Sequence, residues 1–283
     1  MRRSERVVIA YFAYASVLAF ILPLRAPIPA VTLTLNLTIV AGYALLIYAH
    51  SLRQRALLGI MRDWFPLVLL LLAYREMGWF RPAGHSNSLE HAWIVWDRLV
   101  LRRWHGHDAI EFLGPVLPSI LEISYSLVYA IAPFAVAMLY VYGARNRVDR
   151  LLLIFSIGVL AAYAQFPFWP SEPPRTVFPG EDAPAFNTVF RKFNWFLLGG
   201  YGIHTSVFPS AHVSGAFAAA FGIMRVLPEH AWVGRFLFVL AVLIATATVY
   251  GRYHYMVDAL AGFAIAVAAL GVDWLLERFS PIG

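Results

Sequence analysis

Three short stretches, far apart in the chain, hold the residue types that acid–base and anion chemistry requires. They are Pro170-Ser171-Glu172-Pro173-Pro174-Arg175, Phe208-Pro209-Ser210-Ala211-His212 and Tyr250-Gly251-Arg252-Tyr253-His254-Tyr255-Met256-Val257-Asp258. Pro209 and Ser210 mark a helix start, where free backbone N–H groups and the helix dipole can hold an anion. Ser210 can cap that helix or donate its hydroxyl to a phosphate oxygen. His212, in the first turn, can act as general acid or base beside the anion. His254 and Asp258 are four apart and would share one face of a helix. A carboxylate on one imidazole nitrogen fixes the tautomer and makes the other nitrogen more nucleophilic. Arg175 and Arg252 can grip a phosphoryl group through paired N–H donors. His212, His254 and Asp258 also admit a metal-site reading, ranked lower because neighbouring arginines repel a cation. Each stretch alone has an ordinary explanation as a cap, a helix-face hydrogen bond or a snorkelling arginine.

The elements that must bring these stretches together follow from composition. The chain has 283 residues and no cysteine; 60% of it is hydrophobic and 13% is charged. Soluble domains are roughly a quarter charged, and this much apolar surface does not fit into one water-soluble core of such length. The balance excludes a disordered chain, a disulfide scaffold and a thiol-ligated metal protein. It indicates an all-α, polytopic membrane helix bundle. Eight apolar stretches are long enough to span: roughly 7–24, 31–49, 56–77, 117–143, 150–166, 210–228, 234–251 and 254–276. The third has a short apolar middle, bracketed by Arg62–Asp63 and Arg75–Glu76. The first follows Arg2, Arg3 and Arg6 as a signal peptide would, but its apolar run from Val7 to Leu24 reads as a retained anchor. Counting spans puts the end of the fifth, the start of the sixth and the junction of the seventh with the eighth on one membrane face. The three polar stretches can therefore meet in one site.

Charge sets the expected orientation. One face carries both termini with Arg2, Arg3, Arg6, Arg53, Arg55, Arg145, Arg147, Arg150, Arg225, Arg235 and Arg278; the short loops opposite carry Arg25 and Arg252. The positive-inside rule makes the termini cytoplasmic and the site extracytoplasmic. The net charge of +6 thus needs no nucleic-acid partner. Two long outer loops, about 78–116 and 167–209, each hold an amphipathic segment. Leu89, Trp93, Trp96, Val100 and Trp104 share one face in the first; Phe186, Val189, Phe190, Phe193 and Leu197 do so in the second, opposite Asn187, Arg191 and Asn194. Both suit the headgroup boundary.

These residues resemble the type 2 phosphatidic acid phosphatase superfamily, which includes the vanadium haloperoxidases and has the pattern K-x6-R-P, P-S-G-H and S-R-x5-H-x3-D. Pro209-Ser210-Ala211-His212 is similar to the second block with Ala for Gly, and His254 with Asp258 to the end of the third; Pro174-Arg175 stands where the first belongs. The family Lys position is Phe168, Thr176 follows Arg175, and the third-block Arg position is Thr248. The Pro-Pro-Arg and Gly-x-x-His-Tyr-x-x-Asp blocks look more like the branch with inositol phosphorylceramide synthases and related bacterial membrane proteins. Arg252, with Arg191 or Lys192, is the expected replacement for the missing cations. The resemblance implies a six-helix phosphatase-like core, with an N-terminal two-helix extension over 1–55 and the catalytic part over 56–283. It implies a metal-independent and cofactor-free lipid phosphatase in a bacterial inner (plasma) membrane. His254 would be the nucleophile, Asp258 its orienting partner and His212 the acid and base. Ser210, the amides of Ala211 and His212, Arg175 and Arg252 would bind a lipid phosphate. The alternatives are a phosphotransferase between lipids and, in another class, a non-catalytic transporter or scaffold.

Other polar residues are ambiguous in sequence. Ser119, Glu122, Ser126 and Tyr129 form a stripe that either faces a headgroup cavity or joins helices. His204 reads as a surface residue, Gln165 as a residue near the site, and Asp273 as interfacial or paired.

Overall fold

The computed structural model describes residues 1–81 and 84–279, and every regular element among them is helical. The α-helices are α1 Arg3–Ile21, α2 Ile28–Arg53, α3 Ala56–Met77, α4 Ser88–Arg98, α5 Gly106–Glu111, α6 Val116–Ser126 and α7 Val128–Val141. They continue with α8 Val148–Tyr163, α9 Pro174–Val177, α10 Val189–Tyr201, α11 Ala211–Val226, α12 Ala231–Tyr250 and α13 Met256–Arg278. The architecture is a polytopic helical membrane bundle.

Among the described residues, six helical segments are long and apolar enough to cross a membrane: Arg3–Ile21, Ile28–Arg53, Ala56–Phe80, Arg145–Phe168, Pro228–Tyr250 and Met256–Arg278. Two of the eight expected spans differ from a straight crossing. The stretch 117–143 is broken into α6 and α7, which meet at 64°. Near the break, Ser124 donates its hydroxyl to the carbonyl of Ile120, a back-bonding pattern that bends helices. The stretch 210–228 forms α11, only 16 residues long. It lies at the centre of the bundle between α8, α12 and α13, with most of its residues buried.

The third span is a full helix despite its charges, because each charge has a partner. Asp63, with no exposed side-chain surface, accepts from Arg2 at 2.6 Å, from Arg145 at 2.7 Å and from the Tyr140 hydroxyl at 2.5 Å. Arg62 pairs with Glu5 at 2.6 Å. Glu76 accepts from Asn36 Nδ2 at 2.6 Å. Asp273 is paired, with Arg150 at 2.8 Å. These pairs tie α1 and α3 to the start of α8, and α8 to the last turns of α13.

Close helix approach around α11 depends on small residues. Gly158 of α8 faces the Cβ of Ala218, and a Cβ added there would lie 2.6 Å from it; Ser214 donates to the Gly158 carbonyl at 2.6 Å. Gly262 of α13 lies against the backbone of Ser210 and Ser214, where any Cβ would collide with the Ser210 carbonyl. Backbone cannot move aside as a side-chain tip can. Gly262→Val should therefore destabilise the protein by about 1–3 kcal/mol, read as a lower midpoint of thermal unfolding in detergent. An unchanged midpoint would show that α11 and α13 are not in this contact.

Candidate functional site

The three stretches converge at one end of the bundle, where α11 and α13 begin. Ser210 is the N-cap of α11. Its Oγ accepts from the Val213 N–H at 3.3 Å, and its own N–H donates to the carbonyl of Asp258 at 3.0 Å. That bond locks the second stretch to the third. His212 follows in the first turn, stacked on the Tyr125 ring at a centroid distance of 5.2 Å.

His254 lies in the turn before α13, not on the helix, so the expected helix-face pair with Asp258 takes another form. The N–H groups of Tyr253 and His254 both donate to the Thr248 carbonyl, which folds the chain back after α12. Asp258 sits in the first turn of α13, and its Oδ2 accepts the Tyr255 N–H at 2.8 Å. His254 Nδ1 is 3.3 Å from the same oxygen and 2.9 Å from the Val207 carbonyl oxygen. Two acceptors at Nδ1 assign the proton to that nitrogen. Nε2 is then the bare nitrogen, and it faces His212 Nδ1 at 3.4 Å. Burial, with Arg175 nearby, pulls the His254 imidazole down to about 3, against the Val207 hydrogen bond. The ring is thus neutral at physiological pH.

Arg175 is the second residue of the short helix α9, where Pro173 at the N-cap and Pro174 at the first position set the entry. Its N–H donates to the Arg252 carbonyl at 3.3 Å, and its guanidinium lies over the Tyr253 ring at 5.5 Å. No carboxylate pairs with it among the described residues. Burial lowers its pKa from the ordinary arginine value.

Arg252 is 1% exposed and adopts a left-handed conformation with φ of 63°. That conformation costs a non-glycine residue about 1–3 kcal/mol. Its Nη1 donates to Asp97 Oδ2 at 2.6 Å, while Nε and Nη2 are buried without a partner. Asp97 Oδ1 accepts the Met256 N–H at 2.8 Å. Burial pushes the Asp97 carboxyl up to about 6, although the Met256 N–H and Arg252 pull the other way. Asp97 is a site neighbour that sequence reading missed. It lies in the amphipathic segment of the loop over 78–116, and a carboxylate beside three tryptophans, Trp93, Trp96 and Trp104, was the available signal.

Arg191 joins Arg175 and Arg252 around a cavity of about 400 Å³, roofed by residues 178–187. Lys192 points outward and is exposed. Phe168, at the family Lys position, is 55% exposed and takes no part. Arg191 pairs with buried Glu122 at 2.8 Å; Glu122 also accepts from Asn194 Nδ2 at 2.7 Å and from the Tyr253 hydroxyl at 2.6 Å. Ser126 donates to Asn194 Oδ1 at 2.6 Å. The Glu122 and Ser126 part of the stripe therefore joins helices, docking the polar face of α10 onto α6. The apolar face, with Val189, Phe190, Phe193 and Phe196, is exposed. Gln165 bonds back to the Ala161 carbonyl and His204 is exposed.

A second cavity, about 350 Å³ and almost wholly apolar, opens beside His212. Its walls include Trp64 and Tyr74 of α3, Tyr129 of α7 and Phe155 of α8, and Ala211 and His212 stand on its margin.

This constellation falls within a known family. The model of the PAP2 superfamily matches residues 91–272, more than half of the chain. The chain therefore belongs to the PAP2 superfamily, whose enzymes are of the phosphatase type. It is 40% identical over 63 residues to a PA-phosphatase related-family protein of Dictyostelium discoideum, a match covering 22% of this chain and 11% of that relative. No solved structure matches.

Glu122 is the acceptor for three donors, two of them from α10. Glu122→Ala would leave Arg191 as a buried cation without a counter-charge, which costs about 3–5 kcal/mol. The expected result is faster proteolysis within 189–201 and a lower thermal midpoint; wild-type resistance would contradict this account of α10.

Proposed function

We propose that this chain is a membrane-lipid phosphatase that hydrolyses a phosphate ester through a phosphohistidine on His254. The single observation that supports it most is the bare His254 Nε2, backed by Asp258 through Nδ1 and facing His212 at 3.4 Å. Nε2 attacks phosphorus as the bond to the leaving alkoxide breaks. His212, protonated when the phosphate's negative charge lies beside it, delivers that proton to the alkoxide. Asp258 stabilises the positive charge on the His254 ring by accepting from Nδ1. His212 then takes a proton from water as its oxygen attacks the phosphorus, and the N–P bond breaks. Arg175, Arg252 and the first-turn amides of α11, those of Ala211 and His212, balance charge on the equatorial oxygens; buried Ser210 shapes that turn as its cap. None of these steps uses a metal.

The apolar cavity supports a lipid as substrate, because a tail lying in it would bring a headgroup phosphate to His212. The arginine-lined cavity favours a second reading, transfer of the phosphoryl or phospho-alcohol group to an alcohol acceptor. It is separate from the apolar cavity and roofed by an outer loop, so it has room for such a group. The inositol phosphorylceramide synthase-like motif blocks belong with that reading. The site lies at the end of α13 opposite the Asp273–Arg150 pair. The arginine-rich end reads as cytoplasmic, which makes the site extracytoplasmic and the bilayer of a bacterial plasma membrane its setting.

Purified full-length protein incubated with lipid phosphates and phosphodiesters, with and without alcohol acceptors, separates the readings. Free phosphate without an acceptor is the expected result. Product only with an acceptor would establish the transferase. Inhibition by vanadate should persist in EDTA; loss of inhibition and activity together on chelation would contradict the mechanism.

A further inference from the structure

Arg252 owes its placement to a residue 155 positions earlier in the chain. Its guanidinium is fully enclosed, yet only one corner is satisfied by protein. Asp97 takes Nη1 at 2.6 Å, and Nε and Nη2 are left buried without acceptors. Nε and Nη2 form one edge of the guanidinium plane. Their two parallel N–H bonds match two oxygens of a phosphate or carboxylate. Buried donors without acceptors carry a desolvation cost that a bound anion would relieve. Arg252 also lines the cavity shared with Arg175 and Arg191, so an anion there lies among three guanidinium groups.

Asp97 is itself held in place. It has no exposed surface, and its second oxygen accepts the Met256 N–H at the first residue of α13, two residues before Asp258. One carboxylate thus ties the orientation of Arg252 to the helix that carries Asp258. Trp93, one helical turn earlier on α4, packs against Phe208 at 5.1 Å and Tyr255 at 5.7 Å, which seats α4 on both motif stretches.

Resting on the phosphoryl-transfer reading above, we infer that Asp97 is a positioning residue that presents the Nε and Nη2 edge of Arg252 to two non-bridging oxygens of the phosphoryl group. It acts through Arg252. A merely structural role, capping α13 through Met256, would be independent of Arg252, and that difference makes the inference testable.

The probe is inorganic vanadate, whose binding to purified full-length protein is measured by calorimetry in wild type, Asp97→Asn, Arg252→Ala and the double variant. Asp97→Asn keeps an oxygen that can accept from Met256 and removes the charge that holds Arg252. The expected result is at least tenfold weaker vanadate binding in Asp97→Asn with an unchanged thermal midpoint. In the Arg252→Ala background the same change should cost less than twofold. Equal losses in both backgrounds would show a role independent of Arg252 and overturn the inference, as would wild-type affinity in Asp97→Asn. If Asp97→Asn fails to fold, Asp97→Ser, which also removes the charge and keeps an oxygen, carries the same comparison in both backgrounds. Wild-type protein that binds no vanadate would instead sink the phosphoryl-transfer reading itself.

Discussion

A charge inside an apolar helix bundle must be met by a partner, and that constraint governs this protein from end to end. Moving an ion out of water costs several kcal/mol even after relaxation, and several buried carboxylates here gather cations and donors around them. Asp63 gathers Arg2, Arg145 and Tyr140 at one end. Glu122 gathers Arg191, Asn194 and Tyr253 at the other. Each group draws on distant parts of the chain, so pairing the charges also fixes which helices are neighbours. Arg175 and Arg252 depart from the pattern: the first lies over an aromatic ring with no carboxylate, and the second has two buried donors left over. Unspent cationic capacity beside two histidines is what an anion site requires.

The site lies where polar and apolar volumes meet. The apolar cavity reaches His212 from between α3, α7 and α8, and the arginine-lined cavity lies beneath residues 178–187. The 64° break between α6 and α7 shapes this arrangement. It lets α6 receive α10 through Glu122, while Tyr129 at the start of α7 turns toward the apolar cavity. A straight helix over 117–143 would not serve both.

Much of this was legible in the sequence, for reasons that differ by residue. His212, His254 and Asp258 declare themselves because ionisable groups at membrane depth are costly, and span parity places them together. The α10 face was legible as a pattern: Arg191 and Asn194 oppose the phenylalanines, although the polar side is the one that docks. Hidden features depend on contacts between distant segments. Asp97 meets Arg252 only after α4, in the long loop over 78–116, folds over the start of α13. The break at Leu127 has no proline or glycine to announce it, and the central α11 has the same apolar composition as a full span. His254 shares spacing with a helix-face pair, but the Thr248 carbonyl gathers its N–H into a turn instead.

The central claim is that His254 Nε2 carries the phosphoryl group during turnover. The most direct measurement is rapid acid-free quenching of the full-length protein with a turning-over lipid phosphate, followed by mass spectrometry of the peptide containing residues 253–258. The account predicts a phosphoryl group on His254 that disappears in acid and is absent from His254→Ala. Turnover with no phosphorylated histidine, or with the label on another residue, would contradict it.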